Sequence, residues 1–189
     1  MKSSLRPARS LAVIGVGSDL RGDDIAGILV LRHLRAALER SRLKNIRLFD
    51  GGTAPENLTG EIIRFKPSHI LLVDAADLGL KPGTTTLIAP EDVVGISFST
   101  HVLPLSILTD YFKRSLPCRI IILGIQPGAT AFSPKHSPAV SQAARRLAQM
   151  ILDAAPRREA KRQRAAKGGR PSGKDGKRRP ASIGRARAG

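Results

Sequence analysis

Cysteine occurs once in the 189 residues, at Cys118. A lone thiol excludes an intramolecular disulfide framework and points to a reducing compartment, so the chain is read as cytoplasmic. Aromatic side chains are scarce too, at 3%, with no Trp and a single Tyr at Tyr111. The core must therefore be built from Leu, Ile, Val and Ala. Stacking platforms for single-stranded nucleic acid are in short supply. No apolar run approaches the roughly 18 residues of a membrane span. The apolar stretch that follows the basic start Met1-Lys2-Ser3-Ser4-Leu5-Arg6-Pro7 is short, and reads as a first strand rather than a signal-peptide core.

Acidic residues are also few, 15 against 32 Lys and Arg, and the imbalance is concentrated at one end. Residues 156–189 hold 13 basic and 2 acidic residues, a net +11, so residues 1–155 carry only +6 of the total +17. From Arg157 onward the composition is rich in Arg, Lys, Gly, Pro, Ala and Ser, with Ile183 the one large aliphatic residue. Such a segment cannot bury enough apolar surface to offset its ordering entropy, so it is expected to be a disordered basic tail. Lys and Arg neutralise phosphates without regard to sequence, which makes a polyanion tether one reading of the tail. A solvated extension whose polyanion binding is incidental is the simpler one. The expected organisation is one domain over 1–155 and a tail over 156–189, with a monomer as the default state.

Short continuous apolar runs mark strands buried on both faces: Leu11–Gly17, Ile70–Ala75 and Ile120–Gly124. Arg47–Asp50 reads as another strand, ending at Gly51-Gly52. Thr84–Ile88, after the Pro82-Gly83 turn, reads as an edge or antiparallel strand. Between them lie helical patterns. Gly27, Val30, Leu31, Leu34 and Leu38 share one face after Gly22-Asp23-Asp24, where either aspartate suits a helix start. Pro55–Phe65 reads as a short helix, Pro90–Ser99 as loop or short helix, and Leu103–Leu116 as a helix with Pro104 in its first turn. Ser137–Ala155 forms a last amphipathic helix on Val140, Ala144, Leu147, Ile151 and Leu152.

Alternating strands and helices predict an α/β fold. It is a three-layer α/β/α sandwich around a mostly parallel, mixed sheet of the phosphorylase/hydrolase-like kind. Ligand sites in such sheets lie at the carboxyl ends of the strands. That rule draws attention to Asp24 after the first strand, Asp50 at the end of the second, Asp74 at the end of the third, and His101 in a loop before a helix. Two carboxylates and an imidazole make an acceptable partial ligand set for a divalent ion of the Ni²⁺ or Zn²⁺ type. On residue type alone each has an ordinary alternative: a helix cap for Asp24, a satisfied strand end for Asp74, a loop histidine for His101.

The surrounding segments sharpen the reading. Gly15-Val16-Gly17-Ser18-Asp19-Leu20-Arg21-Gly22-Asp23-Asp24-Ile25-Ala26-Gly27 resembles the amino-terminal signature of the hydrogenase maturation endopeptidases. Asp50–Asn57 resembles their second signature. Val73–Gly79, followed by Pro82-Gly83, resembles the third. Ser99-Thr100-His101-Val102-Leu103-Pro104-Leu105 resembles the histidine loop, and Leu123–Pro127 the last core strand. Five segments in the family's order span roughly Leu11 to Leu152, and the second and last of them resemble most the branch serving formate-hydrogenlyase-type and related membrane-bound hydrogenases. Ser18 stands where the family commonly has Asn, and Ile25 where Gly often follows the acidic pair.

The resemblance implies an endopeptidase that removes a carboxy-terminal extension from the large-subunit precursor of a [NiFe] hydrogenase, after nickel insertion. It implies that Asp24, Asp74 and His101 contact a substrate-borne nickel ion, with Zn²⁺ or Cd²⁺ as substitutes. On this resemblance Asp24 and Asp74 would act as ligands or as general bases, and Asp50 is a candidate for support of the site or for backbone organisation.

Other candidates are weaker. His33 lies off the apolar stripe and is expected in solvent; His69 reads as structural and His136 as a loop residue. Cys118 reads as a small apolar filler rather than a nucleophile. Gly15-Val16-Gly17 fails the dinucleotide-binding spacing because Leu20 holds the third glycine position. Two rival functions remain: a binding module whose basic tail carries the activity, and a metallohydrolase of the same fold acting on another peptide.

Overall fold

The computed structural model describes Leu5 and residues 8–41, 43–89, 92–95, 97–98 and 105–155. The chain divides between residues 158 and 159, and all of these residues lie in the first unit. The strands are β1 (Leu11–Val16), β2 (Ile46–Gly52), β3 (His69–Asp77), β4 (Thr85–Ile88), β5 (Ser97–Phe98) and β6 (Arg119–Ile125). The α-helices are α1 (Ala26–Leu38), α2 (Thr59–Phe65), α3 (Leu105–Ser115) and α4 (Pro138–Ala154). Single 3₁₀ turns lead into α1 (Gly22–Ile25) and α2 (Pro55–Leu58). Another lies at Asp92–Gly95.

The main sheet runs β2-β1-β3-β6-β4. β1, β2, β3 and β6 are parallel, and β4 is the antiparallel edge. The apolar runs of β1, β3 and β6 occupy the three central positions, as strands covered on both faces must. One face carries α1 and α4, packed on Leu11, Val13, Leu71, Val73, Ala75, Ile121 and Leu123. Leu5 is fully buried in that cluster, an anchor with no periodic signal around it. The other face carries α2 and α3, with Ile62, Leu105, Leu108 and Phe112 against Ile14, Ile70, Leu72 and Ile122. This is the expected three-layer sandwich. Among the described residues no helix is long and apolar enough to cross a membrane.

Strand order positions the site. From β1 the chain crosses over through α1 to β2 on one side, then returns through α2 on the opposite face to β3 on the other side of β1. The loops after β1 and β3 thus diverge, opening the crevice in which doubly wound sheets bind ligands. Two local expectations need correction. β5, inside the segment read as loop or short helix, pairs antiparallel with the end of β3 through Ala76–Phe98 and Asp77–Ser97. Neither Asp23 nor Asp24 caps its own helix, because both α1 and the turn before it start without a side-chain cap. At α4 the reading holds: Pro138 opens the helix and Ser137 Oγ accepts from Val140 N at 3.3 Å.

Candidate active site

The loop after β1 is shaped by glycine. Gly17 has φ +137°, and a side chain there would stand 1.9 Å from the carbonyl oxygen of Asp24. Gly27 is equally confined: a Cβ would lie 2.2 Å from the Val73 carbonyl and 2.4 Å from that of Val16. These two contacts press the turn bearing Asp24 onto the carboxyl ends of β1 and β3. Asp24 is completely buried there, and its Oδ2 accepts from Ser18 N at 2.9 Å. Ser18 serves through its backbone N–H, while its Oγ accepts from Leu20 N at 3.3 Å. Ile25 has ordinary helical angles and is buried in the core, so the absent glycine costs the loop nothing.

Asp74 follows directly after Val73, the last β3 residue paired with β1. It too is completely buried, and its Oδ1 accepts from Ala75 N at 2.7 Å. The β3 alternation puts it on the α2/α3 face with Leu72 and Ala76. Both aspartates make further interactions. Buried carboxylates are expensive unless compensated. Asp24 lies in the turn after β1, whereas Asp74 does not end β3 as expected but lies inside it, still paired with Gly124 of β6. Asp50 does not join them. It pairs with Gly15, whose open side faces α1, so it lies on the opposite face of the sheet. It is exposed and accepts from Gly52 N at 3.3 Å, shaping a bend. His101 lies outside the described residues. Among those described, no three His, Cys, Asp or Glu side chains are close enough to hold a metal ion. Asp24 and Asp74 are the two members of the expected set that fall among the described residues.

Two polar residues that drew no separate role in the sequence organise the surroundings. Asp23 is 1% exposed. Its Oδ2 accepts from Gly128 N at 2.7 Å and Ala129 N at 3.4 Å, and its Oδ1 from Ser137 N at 2.5 Å. The paired Asp23-Asp24 thus divides its labour: the first carboxylate binds the loop after β6, the second holds Ser18 in the loop after β1. Gln126 Oε1 accepts from Leu78 N at 2.6 Å and Leu80 N at 3.2 Å, and its Nε2 donates to Asp77 Oδ1 at 3.2 Å. A polar cleft of about 380 Å³, lined by Asp77, Phe98, Gln126 and residues 127–130, opens at these same strand ends. A larger groove of about 600 Å³ lies between β4 and α4, and none of the candidate residues lines it.

The remaining candidates fall into structural roles. His69 begins β3 at the opposite end of the sheet; burial, aided by Arg119, lowers its pKa. His33 is only partly exposed, and burial followed by the charge of Arg145 lowers its pKa, which corrects the expectation of a solvated side chain. Cys118 packs against the α2/α3 core, and burial raises its pKa, so the thiol is a poor nucleophile. The chemistry available is that of carboxylates: oxygen ligation of a divalent ion and general-base attack by water.

Comparison with known proteins identifies the family. Residues 28–154 match the family described as HycI: Hydrogenase maturation protease, a span that contains Asp74 and His101 and opens just after Asp24. The chain is 38% identical over 134 residues to a putative hydrogenase maturation protease of Methanocaldococcus jannaschii, covering 69% of this chain and 79% of that one. It is 39% identical over 118 residues to the hydrogenase 3 maturation protease of Escherichia coli K12, covering 62% and 72%. The crystal structure of the [NiFe] hydrogenase maturation protease HycI from Thermococcus kodakarensis KOD1 superposes with a TM-score of 0.73 at 31% identity, covering 81% of this chain and 96% of that one. The chain belongs to the hydrogenase maturation protease family, and its activity is that of an endopeptidase.

Proposed function

We propose that this enzyme removes the carboxy-terminal extension from the large-subunit precursor of a [NiFe] hydrogenase once nickel has been inserted, and that the nickel is part of what it recognises. The observation that carries the reading is the pair of fully buried carboxylates, Asp24 in the turn after β1 and Asp74 within the carboxyl-terminal part of β3, on the two adjacent strands that flank the switch point. Carboxylate oxygens and the imidazole of His101 form a partial donor set suited to nickel or zinc. A partial set is useful when the ion arrives with the substrate. The enzyme contributes some ligands and the precursor the others, so a precursor without nickel forms a weaker complex.

Hydrolysis then needs water added to the scissile carbonyl and a proton delivered to the leaving amine. A carboxylate of the pair accepts the proton from water as the C–O bond forms, and returns it to nitrogen as the C–N bond breaks. The test is processing of nickel-loaded precursor by wild type, Asp24→Ala, Asp74→Ala and His101→Ala, followed by mass spectrometry. Loss of at least about a hundredfold in rate for each variant, a normal yield for general acid–base residues, supports these roles. Near-wild-type rates for Asp74→Ala refute them.

A further inference from the structure

Seven large apolar side chains are more than two-fifths exposed among the described residues, and three of them stand on the loops at the catalytic end of the sheet: Leu20 at 53%, Leu80 at 46% and Phe132 at 81%. Isolated exposed leucines mean little, but large apolar side chains exposed on successive loops at one end of a sheet mark a contact surface. Resting on the processing reading above, we propose that Leu20, Leu80 and Phe132 form an apolar rim on which the large-subunit precursor docks, beside the crevice that cuts it.

The rim is held in place by the framework that holds Asp24. Ser133 N donates to the Leu20 carbonyl at 2.8 Å and Gly22 N to the Ser133 carbonyl at 2.7 Å, so the residue after Phe132 is stitched to Leu20 and Gly22. Asp23 fastens the same two loops through Gly128 and Ser137. Leu80 is fixed through its N–H to Gln126 Oε1. Loops restrained in this way present their side chains with little ordering left to do, which favours anchoring. The occupant follows from position. Leu20 is four residues before Asp24, so a folded protein that feeds a segment to Asp24 and Asp74 must lie across this rim. The exposed Arg21 and Lys135 beside it fit a precursor surface that is apolar at its centre and acidic at its margin.

The test measures binding of the nickel-loaded precursor to the full-length enzyme by surface plasmon resonance, with processing kinetics alongside. Leu20→Ser/Phe132→Ser is compared with wild type and with Met150→Ser. Met150 is 42% exposed in the carboxyl-terminal part of α4 and is on none of the rim loops. The expected result is a Kd raised about tenfold or more for the double variant, equivalent to about 1.4 kcal/mol of binding free energy, with KM raised, kcat retained, and Met150→Ser unchanged. Thermal melts establish that the variants are folded. Wild type that binds without cutting, with the variant binding weakly, supports the rim and overturns the protease reading. Equal binding by wild type and double variant, no binding by wild type, or a fall in kcat alone overturns the rim.

Discussion

Asp23→Ala removes a carboxylate that accepts three backbone N–H groups from the loop after β6 and from the cap residue of α4. A hydrogen bond to a charged group contributes about 1.5–3 kcal/mol, and a donor left buried without an acceptor costs a similar amount. Two of the three bonds are short, and the one to Ala129 at 3.4 Å is weak. Partial access of water to the loop offsets part of the loss, leaving about 4 kcal/mol. For a chain of this size, that lowers Tm by roughly 8–16 °C. Asp23→Asn keeps one carbonyl acceptor but turns an amide donor toward a backbone donor, and falls between alanine and wild type. Urea unfolding followed by circular dichroism gives the free energies, and calorimetry the Tm. A loss below about 1 kcal/mol for Asp23→Ala would refute the claim that this carboxylate clamps the two loops.

Gly17→Ala forces a Cβ into a left-handed backbone position and against the Asp24 carbonyl, so the turn carrying Asp24 must shift. A displacement of about 1 Å lowers processing roughly a hundredfold, whereas Gly79→Ala, with φ +65° but nothing within 4 Å, costs only about 1 kcal/mol of stability and leaves processing intact; equal rates for the two variants would contradict the account. His69 supplies a pH dependence of stability. Its Nδ1 lies 3.1 Å from Ser68 Oγ, its Nε2 is buried without a hydrogen-bond partner, and its pKa is lowered in the fold from the ordinary 6.5. The unfolded chain therefore binds a proton first as pH falls. The stability associated with neutral His69 is complete above 6.5 and is lost progressively below it. Chemical denaturation at pH 7.5 and pH 5.0 should show a smaller acid loss for His69→Gln than for wild type, and an identical loss would remove His69 as the cause.

The sheet was readable because its three central strands are uninterrupted apolar runs, and burial on both faces leaves that signature. β4 was readable from its β-branched composition after Pro82-Gly83. β5 was not, because two residues carry no periodicity and are held by pairing with Ala76 and Asp77. Asp24 and Asp74 stood out through their expected places at or after strand ends, with the family resemblance selecting them over Asp50. Chain order could not show that Asp50 lies on the opposite face, since that depends on its pairing with Gly15. The roles of Asp23 and Gln126 were hidden for a related reason. Asp23 bonds residues more than a hundred positions away, and Gln126 residues more than forty away. Such partners exist only once β3 and β6 lie side by side.

The most direct test of the central claim compares the wild-type enzyme on one precursor in two states, nickel-loaded and nickel-free, with the mass of the large subunit measured over time. The account predicts that the nickel-loaded form is shortened by one defined carboxy-terminal segment while the nickel-free form stays intact. Shortening of both forms at the same rate would contradict nickel as a recognition element, and an intact nickel-loaded cognate precursor would contradict the processing activity itself.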